Sequence, residues 1–201
     1  MRYRVCEIFY SLQGEGAQSG RPALFCRFAG CNLDCTFCDT DWQRIEKAGG
    51  GEYDSTENLV KSIKERIPQI ISGELPMILF TGGEPALQIQ QELIDAVHRE
   101  GFGIAVETNG TTPLPGGIDW ICVSPKSRQD LIVTKGNEIK VLYPLEDLDP
   151  GQFEHLDFTH FFIQPLDGPE REQNTRKAVE YCLTHPRWRL SLQLHKILGI
   201  A

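Results

Sequence analysis

Short apolar runs alternate along this chain with stretches in which apolar residues return at helical spacing. ALFCRFAG (23–30), PMILFTGGEP (76–85), GIAVETNG (103–110), DWICVSPK (119–126), NEIKVLYP (137–144) and THFFIQPLDGP (159–169) read as strands. Between them, residues 55–71 carry Leu59, Ile63, Ile67 and Ile70 on one helical face, with Ser55 or Thr56 as N-cap. QQELIDAVHREG (90–101) predicts an amphipathic helix stopped by Gly101, and REQNTRKAVEYCLTH (171–185) a further one. RLSLQLHKILGIA closes the chain, apolar to its end. Near-continuous apolar strands separated by helices predict a parallel sheet covered on its faces. About six such strands in 201 residues suggest an α/β fold built as an incomplete barrel, since a full eight-fold barrel takes roughly 250 residues.

The ends of these strands share a character. TGGEP, ETNG, SPK and QPLD each follow an apolar run, at the position where parallel α/β folds place their active sites. Any one of them is an ordinary turn taken alone; four together point to one site. No internal repeat or linker divides the chain, so 1–201 is expected to form a single domain.

Charge narrows the choice of partner. The net charge of −8 leaves no basic footprint for nucleic acid, and an acidic ligand must be held by a few local cations. No stretch nears the ~20 apolar residues of a membrane span, and MRYRVCEIFYSLQGEG lacks the apolar core of a signal peptide. A cytoplasmic protein is expected, and seven cysteines there argue against disulfides. Cys26 and Cys122 sit in apolar strands and read as small core residues.

The exception is CNLDCTFCDTDW (31–42), where Cys31, Cys35 and Cys38 fall in a C-x3-C-x2-C spacing. Three readings compete. A structural zinc site wants four protein ligands and ordinarily a second ligand pair, which the chain lacks. An iron–sulfur electron carrier also lacks its fourth thiolate. A [4Fe-4S] cluster with three cysteines keeps one iron open to a cofactor or substrate.

This stretch resembles the radical S-adenosylmethionine superfamily, whose hallmark is C-x3-C-x2-C with an aromatic, here Phe37, before the last cysteine. The resemblance implies that Cys31, Cys35 and Cys38 hold a [4Fe-4S] cluster. Its open iron would bind S-adenosylmethionine, which the reduced cluster cleaves to a 5′-deoxyadenosyl radical. It further implies cofactor contacts from Phe37, Cys38 and Asp39, and from Gly82, Gly83 and Glu84, the last three receiving the cofactor's ammonium. Ser124, Pro125 and Lys126, then Gln164, Pro165, Leu166 and Asp167, would complete that site, with Lys126 on the cofactor carboxylate and Glu107–Gly110 lining the same face.

FYSLQGEGAQSGRPALFCRFAGCNLDC and RWRLSLQLHKILGIA, with CDT, TGGEP, ETNG and VSPK between them, resemble the 7-carboxy-7-deazaguanine synthase family nearly end to end. That implies radical ring contraction of 6-carboxy-5,6,7,8-tetrahydropterin with loss of ammonia, on the queuosine route. S-adenosylmethionine would then be regenerated in each turnover. The segments 1–22 and 186–201 would complete the substrate site. Leu12, Gln13 and Gly14 would hold the pterin, Arg27 its carboxylate as a bidentate pair, Thr81 the substrate as well, and the Ala201 α-carboxylate the amino-amide edge. Thr40 would bind Mg2+. The family also implies a homodimer and a flavodoxin- or ferredoxin-like reductant. The alternative reading is a glycyl-radical-enzyme activase, which shares the cysteines and GGEP but has no use for Leu12–Gly14 or Arg27.

Overall fold

The computed structural model describes residues 2–45, 48–71, 73–127 and 131–200. Nine strands form one sheet: β1 (Tyr3–Leu12), β2 (Pro22–Phe28), β3 (Gly51–Tyr53), β4 (Met77–Gly82), β5 (Ile104–Thr108), β6 (Trp120–Val123), β7 (Lys135–Tyr143), β8 (Asp157–Pro165) and β9 (Trp188–Leu190). Their order is β3-β1-β2-β4-β5-β6-β7-β8-β9, so the sheet is open, with β3 and β9 at its edges. From β2 to β9 every pairing is parallel, while β1 runs antiparallel to both β2 and β3. The six strands expected from sequence are β2 and β4 to β8. The structure adds β9 as a seventh parallel strand, and an antiparallel pair on the opposite side.

Among the described residues there are four α-helices: α1 (Thr56–Lys64), α2 (Gln91–Arg99), α3 (Arg171–Thr184) and α4 (Leu194–Leu198). Ser55 caps α1, its hydroxyl accepting from the Asn58 N–H at 3.2 Å. That helix stops well before Ile71, the end expected from apolar spacing. Pro68 disfavours helical backbone at Ile67 and cannot donate to a helical bond. Among the described residues no helix is long and apolar enough to cross a membrane.

Alternation along the strands sorts side chains to two faces. Leu24, Cys26 and Phe28 of β2, Ile78 and Phe80 of β4, and Ile104 and Val106 of β5 face α1 and α2 in one buried cluster. Farther along the sheet, Val123, Ile139, Val141, Phe161 and Ile163 pack with Ala178 of α3 and with Trp188. The opposite face carries a smaller apolar patch, Ala23, Phe25, Met77, Leu79 and Ala105, with Phe9 and Trp120 at its border. Continuing those same positions two residues onward reaches Arg27, Thr81 and Glu107. In-register pairing sets Arg27 beside Thr81, and pairs Glu107 with Cys122 and Cys122 with Glu138. An apolar floor thus ends in a row of polar side chains at the strand C-termini.

Candidate active site

A cavity of about 330 Å³ opens over that polar row, a size common for ligand pockets. Cys31, Cys35 and Cys38 line it, as do Phe37, Asp39 and Thr40 of the same loop. Leu12, Gln13, Gly14, Arg27 and Thr81 line it from β1, β2 and β4. Gly82, Gly83, Ser124, Lys126, Gln164, Leu166 and Asp167 do so from later strand ends. Segments scattered through the sequence are therefore brought together. Pro125 and Pro165 do not face the cavity; they shape the turns between neighbours that do. Ala201 lies outside the described residues.

Glu84 departs from its expected position. Its carboxylate is fully buried, away from the cavity wall, and accepts from Thr108 Oγ1 (2.7 Å), the Asn109 N–H (2.7 Å) and the Ala86 N–H (2.9 Å). Burial pushes its carboxyl pKa up, against the pull of those hydrogen bonds. Glu84 is thus a clamp joining the ends of β4 and β5, each of its oxygens already accepting a hydrogen bond from the protein. Gly82 and Gly83 keep their place on the wall for a steric reason. A Cβ on Gly82 would stand 2.2 Å from the Phe28 carbonyl oxygen, and one on Gly83 2.0 Å from that of Gly30. The Gly83 and Glu84 N–H groups donate to those same carbonyls, at 3.0 and 2.8 Å, fastening β4 to the start of the cysteine loop.

The three thiols fit a cluster better than a single ion. Each of Cys31 and Cys35 feels the negative charge of Cys38, and Cys35 that of Cys31, so they are near neighbours. Burial above all raises both thiol pKa values; Glu84 and Cys38 add to the rise at Cys31, while at Cys35 Lys126 opposes it more than either neighbouring cysteine adds. Yet among the described residues no three His, Cys, Asp or Glu side chains converge closely enough for one metal ion. Cys26, the remaining nearby thiol, is wholly buried on the other face of β2, which removes it as a fourth ligand. Residues at the end of β5 steady the loop: Asn109 Nδ2 donates to Asn32 Oδ1 at 3.0 Å, and Asn32 Nδ2 to Thr111 Oγ1 at 2.8 Å.

Deeper in the cavity lies a charge network whose centre, Lys140 with Glu15, the sequence reading missed. Lys140, only 4% exposed, has its ammonium bonded to Glu15 and 3.4 Å from Glu107 Oε1. Burial would lower its pKa, but the two carboxylates hold it well above the ordinary lysine value. Burial would likewise raise Glu15, and Lys140 overrides it, keeping that carboxyl ionised. Glu107 accepts from Gln13 Nε2 and Thr81 Oγ1, both at 3.1 Å. Arg27 donates through Nε to Glu7 Oε1 at 2.8 Å, and both residues line the cavity. Lys126 is bonded to Ser124 Oγ at 2.9 Å, its pKa lowered by burial and then by Lys140. The clue to Lys140 was available: a cation between Ile139 and Val141 must face the sheet's other side and find acids there.

Gln193, His195 and Lys196 close one side of the cavity. His195 thus reaches the wall, a residue to which the sequence reading gave no part in the site.

Comparison with known proteins agrees with this geometry. Residues 26–136 match the model of the radical SAM superfamily. The chain is 51% identical to the 7-carboxy-7-deazaguanine synthase of Bordetella pertussis and 50% identical to that of Burkholderia multivorans, all of both chains being covered in each case. The synthase of the same name from Bacteroides thetaiotaomicron is 41% identical, again over the full length. Among solved structures, the crystal structure of QueE from Escherichia coli superposes with a TM-score of 0.74 at 29% identity, over 96% of this chain and 94% of that one.

Proposed function

The chain belongs to the 7-carboxy-7-deazaguanine synthase family of the radical S-adenosylmethionine superfamily, which makes it a radical enzyme forming 7-carboxy-7-deazaguanine. We propose that it does so by contracting the ring of 6-carboxy-5,6,7,8-tetrahydropterin with loss of ammonia, as a step toward queuosine. The observation that carries this reading is the row Arg27–Thr81–Glu107, set above an apolar floor and facing three thiols across one cavity.

Superfamily membership implies a [4Fe-4S] cluster and S-adenosylmethionine. When bound, these would supply the radical chemistry, a 5′-deoxyadenosyl radical as hydrogen acceptor, that the ring contraction needs. Cys31, Cys35 and Cys38 hold the cluster. The Gly82 and Gly83 carbonyls receive the cofactor's ammonium, with Glu84 fixing the turn that aims them. Lys126 meets the cofactor carboxylate, while Phe37, Asp39, Ser124, Gln164, Leu166 and Asp167 enclose the nucleoside.

On the substrate side, Arg27 binds the pterin carboxylate through the nitrogens not engaged by Glu7, a charge-assisted pair in a sheltered site. Glu107 and the Leu12–Gly14 backbone meet the donor-rich pyrimidine edge, and Thr81 contacts the substrate. Lys140, 3.4 Å from Glu107 Oε1, sets a positive charge beside that acceptor. Thr40 is the hydroxyl that Mg2+ takes, with waters and substrate oxygens filling its other positions. Seven thiols suit a reducing compartment, the cytoplasm. The working form we propose is one domain per chain, a homodimer, reduced by a flavodoxin- or ferredoxin-like protein.

The test is anaerobic incubation of the reconstituted protein with reductant, Mg2+, S-adenosylmethionine and the pterin, read by mass spectrometry. Appearance of 7-carboxy-7-deazaguanine is expected. Accumulation of 5′-deoxyadenosine without it would leave the superfamily chemistry standing and overturn the substrate.

A further inference from the structure

One short turn near the C-terminal end touches both halves of the cavity. Lys196 Nζ donates to Asp39 Oδ2 and to Asp167 Oδ2, each at 2.6 Å. Those two carboxylates come from different strand ends and would repel each other without it. Three residues earlier, Gln193 Nε2 donates to Asp39 Oδ2 at 3.1 Å and to Glu15 Oε1 at 3.0 Å. The Leu194 N–H donates to the Gly14 carbonyl at 3.0 Å. The fit against Gly14 is tight: a Cβ there would stand 2.5 Å from His195 Nδ1 and 2.9 Å from its backbone nitrogen.

We propose that the 193–196 turn couples the two ligand sites, so that pterin and S-adenosylmethionine each strengthen binding of the other, with Lys196 as the positioning residue. The inference rests on the assignment of Leu12–Gly14 to pterin and of Asp39 and Asp167 to S-adenosylmethionine. A ligand that fixes Asp39 and Asp167 fixes Lys196. Through Leu194 and Gln193 the ordered turn then sets Gly14 and Glu15, the segment that meets the pterin. Coupling of this kind is reciprocal by thermodynamic necessity, so pterin must tighten S-adenosylmethionine by the same factor. Such a link favours loading of both ligands before the radical is made, and so guards against cleavage of the cofactor without substrate.

The experiment uses the cluster-loaded enzyme without reductant, so that neither ligand is consumed. The dissociation constant for radiolabelled S-adenosylmethionine is measured by equilibrium dialysis with and without saturating pterin. For the wild type, pterin should tighten it by roughly 5-fold or more, the lower end of typical site-to-site coupling. In K196M the ratio should fall to near one while each ligand alone still binds, and K196R should keep most of the coupling. A wild-type ratio of one, or an undiminished ratio in K196M, would overturn the proposal. So would outright loss of S-adenosylmethionine binding in K196M, which would make Lys196 a direct ligand. A wild-type enzyme that binds S-adenosylmethionine but no pterin would instead sink the substrate assignment, and the coupling with it.

Discussion

At the scale of single residues, three of the cations lining the cavity differ in their settings. Arg27 is partly committed, with its Nε on Glu7 while the residue lines the cavity. Arg27→Ala should therefore raise the pterin dissociation constant about 10- to 100-fold, as loss of a charged hydrogen bond does, and leave S-adenosylmethionine binding alone. Calorimetry on the cluster-loaded enzyme separates the two, and equal loss of both would refute its role. Lys140 is wholly committed, buried between Glu15 and Glu107. Lys140→Met should cost about 3–5 kcal/mol in urea unfolding, because two buried carboxylates lose their counter-charge. A change below 1 kcal/mol would mean that the network is dispensable. Lys196 bridges two carboxylates at the cavity rim; burial would lower its pKa, but Asp167 and Asp39 hold it above the ordinary value.

At the scale of elements, much of the site was legible because strand alternation and turn chemistry carry it. β2, β4 and β5 read as strands, and their two-residue period aligns Arg27, Thr81 and Glu107 on one face. β1 was missed for a physical reason: its pairing with β2 shifts between Val5 and Glu7, which breaks the alternation that would have revealed it. α1 was drawn too long because apolar spacing ran on past Pro68. Glu84 lies buried behind the cavity wall instead of on it because the Gly82–Gly83 turn resets which side the next residue faces, and sequence spacing cannot follow that. The same turn yields a prediction. Gly83→Ala drives a Cβ against the Gly30 carbonyl, so β4 must separate from the start of the cysteine loop. Iron incorporation per chain should fall at least severalfold, while the far-UV circular dichroism of the metal-free chain stays close to wild type. Full incorporation of iron would show that the loop tolerates the shift.

Over the whole molecule, an acidic chain gathers Arg27, Lys126, Lys140 and Lys196 around one cavity, with acids interleaved among them. That arrangement ties stability to pH. Glu15 and Asp39 are held below their ordinary carboxyl values by Lys140 and Lys196 in spite of burial. Asp167 is lowered first of all by its hydrogen bond from Lys196, and Asp119 by hydrogen bonds from the Ile104 N–H and His98 in spite of burial. A lowered carboxyl stabilises the fold fully above its unfolded pKa, near 4, and loses that contribution as pH falls through the folded value. Glu84, raised by burial, acts in the opposite sense but alone. The melting temperature of the metal-free chain should therefore drop steeply below about pH 4; a flat or rising curve there would contradict the network. The central claim is that one cavity holds radical source and pterin together. It is tested most directly with pterin deuterated at C6, by following the label and counting 7-carboxy-7-deazaguanine formed against S-adenosylmethionine consumed. Many products per cofactor, with deuterium passing into recovered S-adenosylmethionine, is the predicted result. One cofactor spent per product, or 5′-deoxyadenosine carrying no label, would contradict it.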